Sequence, residues 1–299
     1  MKKPLIILAL IIVNFSYASQ DTVWRRGGLI SLNFTQVSLS NWGAGGQNSI
    51  SGNTIINYFA NYRKGKNAWD SNLDLGYGFI REGKEGKLIK SDDKIDFSTK
   101  VGHEASKKWY YSALINFRSQ FAPGYNYPND SMPISDFFAP AYLIVSIGMD
   151  YKPNNNFSLF LSPATGRFIF LNDKRLSDIG AFGVDSGKTL RIEAGAYLKA
   201  TLKKDLNSAI SIQSSIDLFS NYLDKPQNID INWQAMISMK LSKLFSACLS
   251  TQFLYDDNTK LAFYKNDSVT IDHFGPGIQF KEVFGIGLAY RFSSVSIRP

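Results

Sequence analysis

Trp69-Asp70-Ser71-Asn72-Leu73-Asp74-Leu75-Gly76-Tyr77-Gly78-Phe79 sorts its side chains by parity: Trp69, Leu73, Leu75, Tyr77 and Phe79 fall on one face, Asp70, Asn72, Asp74, Gly76 and Gly78 on the other. A period of two is the signature of a strand. The pattern recurs along the 299-residue chain. It predicts strands at about 28–40, 50–63, 68–81, 94–105, 109–120, 141–151, 157–169, 189–204, 209–222, 228–241, 245–256 and 278–292. Most exceed the usual strand length of soluble sheets and match the roughly 9–11 residues a tilted strand needs to cross a bilayer.

The connections alternate in length. Gly65-Lys66, Ser106-Lys107-Lys108, 152–156, 205–208 and 242–244 are short, whereas 121–140, 170–188 and 257–277 are long. Short turns at one end and long loops at the other, with an even strand count, describe an all-β transmembrane antiparallel β-barrel of about 12 strands. A two-residue turn at Gly65-Lys66 makes paired numbers sum to an odd value, so strand two can place Ile56, Tyr58 and Tyr62 outward while strand three places Leu73 and Leu75 there. A three-residue turn after strand four sets Ala105 opposite Trp109, and therefore Asp96 opposite Arg118, where opposite charges attract.

On the inward face the alternation leaves Asp70, Asp74, Asp96, Lys100, Glu104, Arg118, Arg191, Glu193, Lys199 and Asp217, all expected to line a polar lumen. On the outward face Tyr62, Trp69, Trp109, Tyr151 and Phe292 fall near the short-turn ends, as an aromatic girdle requires, with Tyr77, Phe79, Phe97 and Tyr255 its counterpart at the other end. A soluble barrel has the same period, but it would present these charges outward around a core enclosing a large cavity.

Lys2 and Lys3, the apolar residues 5–13 and Ser16-Tyr17-Ala18 have the form of a signal peptide over 1–18, leaving residues 19–299 as the barrel domain. Its apolar core is too short to span a bilayer. Cys248 is the only cysteine, which excludes an internal disulfide and a cysteine metal cluster. The net charge of +8 becomes +6 without the two leader lysines, and many basic residues fall in turns, such as Lys64, Lys66, Lys107, Lys108, Lys203, Lys204, Lys240 and Lys243. Basic residues so dispersed point to solvated turns near headgroups rather than to nucleic acid.

Gln36-Val37-Ser38-Leu39-Ser40-Asn41-Trp42-Gly43-Ala44-Gly45-Gly46, Leu161-Ser162-Pro163-Ala164-Thr165-Gly166-Arg167 and the stretch from Phe274-Gly275-Pro276-Gly277 to Gly287-Leu288-Ala289-Tyr290 resemble a family of Bacteroidota outer-membrane proteins known as domain of unknown function 3078. The resemblance implies an outer-membrane barrel of a Gram-negative bacterium and carries no catalytic or transport residue with it. Such barrels often end on an aromatic residue, but Phe292 here is followed by seven more residues.

Gly43-Ala44-Gly45-Gly46 lacks the following Lys-Ser or Lys-Thr of a phosphate cradle and is expected to be a loop. His103 and His273 have no serine at a diagnostic spacing, and with one cysteine they make no metal site, so no enzyme activity, cofactor or metal is expected. Asp92, Asp93, Asp256, Asp257 and Asn258 lack the ordered spacing of a calcium loop. The expectation is a narrow or gated passage for small polar solutes, narrowed by Phe59, Arg118, Arg191 and Tyr197. Loop 121–140, with Pro123, Pro128, Pro133 and Pro140, could serve as a partial plug. The alternatives are a closed scaffold that binds an outer-membrane protein partner through its external loops, and a surface lipid enzyme. Outer-membrane lipid is the expected surrounding in each case.

Overall fold

The computed structural model describes residues 24–39, 47–83, 85–127, 129–264 and 271–293. The leader expected at 1–18, the Ser40 to Gly46 part of the resemblance, Trp42, Pro128 and the residues after Ser293 lie outside them. The chain forms β1 (Trp24–Val37), β2 (Ser49–Lys64), β3 (Asn67–Glu82), β4 (Ile89–Ser106) and β5 (Trp109–Ser119). A small ribbon of β6 (Gly124–Tyr125) and β7 (Pro133–Ser135) leads to β8 (Ala141–Tyr151) and β9 (Phe157–Phe170). The helical turn α1 (Lys174–Asp178) precedes β10 (Leu190–Asp205), β11 (Ile210–Asn221), β12 (Ile229–Lys240) and β13 (Phe245–Tyr255). A second ribbon, β14 (Leu261–Tyr264) and β15 (Ile271–Gly275), precedes β16 (Gln279–Ser293).

Twelve of these strands close an antiparallel barrel in the order β1-β16-β13-β12-β11-β10-β9-β8-β5-β4-β3-β2. The two ribbons stand apart from it, inside the long loops 121–140 and 257–277. The parity switch at Gly65-Lys66 is present: Lys64 pairs with Asn67 and Tyr62 with Trp69. Gly65 adopts φ +54°, the left-handed region that a two-residue hairpin turn demands.

Asp96 lies opposite Arg118 in the register. The turn itself differs from expectation. Ser106, not Ala105, pairs with Trp109, and Glu104 pairs with Tyr110, so a bulge at Ala105 absorbs one residue and the turn shrinks to Lys107-Lys108. A second irregularity interrupts β9, where Ile147 pairs with Ala164 but Met149 with Leu161. Pro163 has no N–H to give to the ladder, which accounts for the break. Beyond it Thr165 and Arg167 continue the inward face that Ser158, Phe160 and Ser162 begin.

The two barrel surfaces are inverted relative to a soluble protein. On β8, Ile147 is 68% exposed whereas Asp150 is fully buried. Ile30, Val101, Val145, Ile192, Trp233 and Phe284 form the outer belt, and Asp96, Lys100, Asn116, Glu193 and Asp217 are buried within. An apolar exterior around a charged interior needs hydrocarbon outside it, so the fold is a transmembrane barrel of the outer-membrane type. No described helix is long and apolar enough to cross a membrane. Aromatic contacts gather at the short-turn rim: Trp24 lies 5.1 Å from Tyr62 and 5.5 Å from Trp69, and Trp109 lies 4.9 Å from Tyr151. Phe292 stacks on Tyr290 at 5.9 Å, and at the far end Tyr77 meets Phe121 at 6.3 Å.

Candidate functional site: the barrel lumen

Three tiers of polar side chains occupy the interior. Nearest the short turns, one ion-pair chain follows the wall. Arg63 Nη1 lies 2.7 Å from Asp70, Asp70 lies 2.6 Å from Lys152 Nζ, and Lys152 lies 3.0 Å from Asp150, which lies 2.8 Å from Lys100. Lys100 also donates to Ser158 Oγ at 2.6 Å. Asp74 accepts from the Asn57 amide. Glu104 is half-buried beside this tier and joins none of its pairs.

The middle tier crosses the bore. Five strands separate β4 from β12 either way round, so the two face each other across the barrel. Lys94 on β4 nevertheless donates to Gln234 on β12 at 2.5 Å, and the Gln234 amide donates back to Asp96 at 3.2 Å. Two more rungs join distant walls: Lys203 Nζ to Asn72 at 2.5 Å and Lys281 Nζ to Asp92 at 2.8 Å. Lys203, expected in a turn, is instead an inward residue of β10 whose ammonium also lies 5.0 Å from the Phe59 ring.

Asp217 gathers Lys199 at 2.8 Å, the Tyr197 hydroxyl at 2.7 Å and Arg118 at 3.9 Å. Arg118 therefore leans toward β11 rather than pairing with Asp96 across the strand, and Asp96 is held by the Asn116 amide at 2.8 Å. At the long-loop tier Arg167 pairs with Glu193 and, at 2.6 Å, with Asp230. Arg191 binds Glu193 at 2.7 Å and donates to the Gly183 carbonyl at 2.6 Å, tying the wall to the loop above.

The lumen is not uniformly polar, which departs from the expectation. Leu114, Ile144, Phe160, Tyr197 and Phe219 pack into a buried cluster on the inward faces of β5, β8, β9, β10 and β11. One flank of the bore is thereby solid, and cavities remain beside it among the described residues. A cavity of about 170 Å³ at the short-turn end is lined by Arg25, Asn57, Phe59, Lys203 and Arg291. One of about 70 Å³ lies at mid-depth beside Asp74, Lys94, Gln234 and Lys281. One of about 240 Å³ lies at the long-loop end, where Ser135, Pro140 and Phe182 from the loops meet Arg118 and Arg167. Loops 121–140 and 170–188 thus cover the outer mouth rather than descend to the rungs. Ala139, Leu171, Leu176 and Val184 pack together to hold them there.

Lys94, Asp150, Arg167, Lys203, Lys281 and Arg291 are not among the residues expected to line the lumen; strand parity within β4, β8, β10 and β16 carries a signal for most of them, but parity says nothing of height or reach. Arg291 donates to Ser211 and Ser238 at 2.9 Å across two neighbouring strands. His103 bonds Asn67 and His273 bonds Asp272, each at 2.9 Å, and neither imidazole meets a serine among the described residues. No cluster of three or more His, Cys, Asp or Glu side chains fit to hold a metal is found among the described residues.

Solved structures with a similar fold include three outer-membrane proteins. The COG4313 outer membrane channel from Pseudomonas putida F1 has 11% identity and a TM-score of 0.35, over 90% of this chain and 94% of that one. The translocator domain of autotransporter NalP from Neisseria meningitidis has 8% identity and a TM-score of 0.34, over 90% and 88%. A FadL homologue from Pseudomonas aeruginosa has 9% identity and a TM-score of 0.26, over 89% of each chain. No curated protein matches the sequence. The family model described as "Protein of unknown function (DUF3078)" matches residues 34–125, which bears out over that stretch the resemblance drawn from the sequence.

Proposed function

We propose that this outer-membrane barrel is a gated passage for small polar solutes, closed in its resting state by the side chains of the middle tier. The observation that carries this reading is the Lys94–Gln234–Asp96 rung between opposite walls, with cavities above and below it. Each rung rests on one or two hydrogen bonds at the tips of long side chains, and each such bond has a net worth of about 1–3 kcal/mol. Swinging Lys94 or Lys203 aside joins neighbouring cavities without moving a strand. Asp74, Asp96, Lys199 and Arg191 then line the path, and their charges set ion preference.

A closed scaffold is the second reading, and the apolar cluster around Phe160 favours it. Planar-bilayer recording separates the two. The wild-type barrel is expected to give brief, small openings, and a Lys94→Ala/Gln234→Ala variant larger and longer ones. Silence from both, in barrels shown to be folded by their heat-modifiable gel migration, would sink the passage and leave the scaffold.

A further inference from the structure

The barrel closes unevenly. β1 is paired with β2 along its whole length, from Trp24↔Tyr62 to Val37↔Ser49, and β16 with β13 up to Leu254↔Gln279. Between β1 and β16 the ladder runs only from Gly27↔Ser293 to Leu32↔Leu288. Residues 33–37 on one lip and 279–287 on the other have no partner across the seam among the described residues. Strands rise about 3.4 Å per residue and tilt about 40°, so the five steps from Gly27 to Leu32 make the ladder itself roughly 13 Å tall. That is half of an apolar band about 25 Å tall. The open part of the seam therefore lies on the long-loop side, which is the side of the outer leaflet.

A bare strand edge cannot face hydrocarbon, because its N–H and C=O groups have no partner there. Something with both polar and apolar parts must lie against it. The outward side chains of the lips include exposed Phe34, Phe280, Phe284 and Ile286, which continue the lipid-facing belt, with Gln36 and Glu282 set among them. Just inside, the surroundings turn polar: the Lys281–Asp92 pair stands behind the gap, and the Asn33 amide lies over Gly285 and Gly287 with neither its N nor its O hydrogen-bonded. Val283 and Lys281 also line the mid-depth cavity, so the β16 lip borders the lumen on its inner side.

We infer that the β1–β16 seam is a lateral portal that takes a membrane lipid from the outer leaflet. The acyl chains stay against Phe34, Phe280 and Phe284, while the headgroup and ester groups enter between the lips toward Asn33, Lys281 and Asp92. Lipid is the occupant the geometry selects, since the lips lie flush with a surface already in contact with it. The inference goes beyond solute passage and holds whether or not the lumen conducts, because lipid capture and conductance are read separately.

Photo-crosslinking tests it. Benzoylphenylalanine is placed at Val283, on the lumen side, or at Phe284, on the lipid side. The folded barrel is reconstituted into phosphatidylethanolamine vesicles containing an alkyne-tagged phosphatidylethanolamine. Lipid adducts are expected at both positions. A disulfide between Phe34→Cys and Ile286→Cys, opposite each other if the existing register continued, closes the seam in a Cys248→Ser background. It should cut the adduct at position 283 at least tenfold and leave that at 284 unchanged. Adducts at 284 alone would overturn the portal, as would adducts at 283 that survive the lock. A cross-link from either position to a second copy of the chain would overturn it in favour of an edge-to-edge dimer.

Discussion

Removing the Asp150 carboxylate is the sharpest test of what holds the lumen together. Asp150 is fully buried, and its Oδ2 lies 2.8 Å from Lys100 Nζ and 3.0 Å from Lys152 Nζ while Oδ1 accepts from Ser158 at 2.8 Å. At an effective dielectric of 20 the gross attraction to Lys100 is about 6 kcal/mol, most of it offset by the cost of drying the two charges. Lys152 retains Asp70 and Lys100 retains Ser158, so Asp150→Ala strands Lys100 most severely. The expected loss is about 3 kcal/mol, at the lower end of what breaking a buried pair costs. The assay is reversible urea unfolding in lipid vesicles, followed by tryptophan fluorescence and by gel migration without boiling. Lys100→Met should cost a similar amount, and Lys100→Met/Asp150→Leu should recover most of either loss, because two matched apolar groups strand no charge. A loss below about 1 kcal/mol for Asp150→Ala, or strictly additive effects in the double variant, would refute the claim that this tier is dry.

Two further outcomes follow from local geometry. A Cβ at Gly148 meets the Leu161 carbonyl at 2.0 Å where β9 bulges, so Gly148→Ala should destabilise the barrel by about 1–3 kcal/mol in the same unfolding assay, and a neutral result would show that the bulge gives way freely. Asp173 caps α1, accepting from the Arg175 and Leu176 amides, and the Arg175 guanidinium beside it holds its carboxyl below the usual carboxylate range. A depressed pKa contributes stability above the unfolded value, near 3.9, and loses it as pH falls through the folded one. Hydrogen-exchange protection of Leu176 and Ser177 should therefore hold at pH 7, decline below about pH 4, and fall at pH 7 in Asp173→Ala by an amount matching about 1 kcal/mol. Equal protection in wild type and variant at pH 7 would remove the cap from the account.

How much of this was legible in the sequence depends on the range of the interaction concerned. Strands and parity are local: the two faces of β3 and the switch at Gly65 follow from side chains within a few residues of one another. The bulge at Pro163 also has a local cause, since a proline inside a strand cannot serve the ladder, although the expected strand at 157–169 runs through it without a break. Alternation did not locate the bulge at Ala105, because no glycine or proline marks it. Nor did it reveal the rung from Lys94 to Gln234. Those residues are 140 positions apart, and they meet only because closure and stagger set them at one height. The apolar cluster around Phe160 was hidden for a related reason: single inward-facing apolar residues on five strands look like exceptions until the barrel brings them together.

The short ladder between β1 and β16 also sets the order in which the barrel is assembled. Apart from that seam, neighbouring barrel strands follow one another along the chain, so they form as successive hairpins with little chain entropy to overcome. Gly27↔Ser293 joins residues 293 − 27 = 266 positions apart. Closing a featureless chain of that length costs about 5 kcal/mol from its logarithmic term alone. The sheet must therefore curl almost to completion before its ends can meet, and the pairing that meets last is the one with the fewest rungs to hold it. Ring closure, rather than any single hairpin, is the step at which an insertion apparatus must hold this chain, and the point from which a folded barrel unravels first.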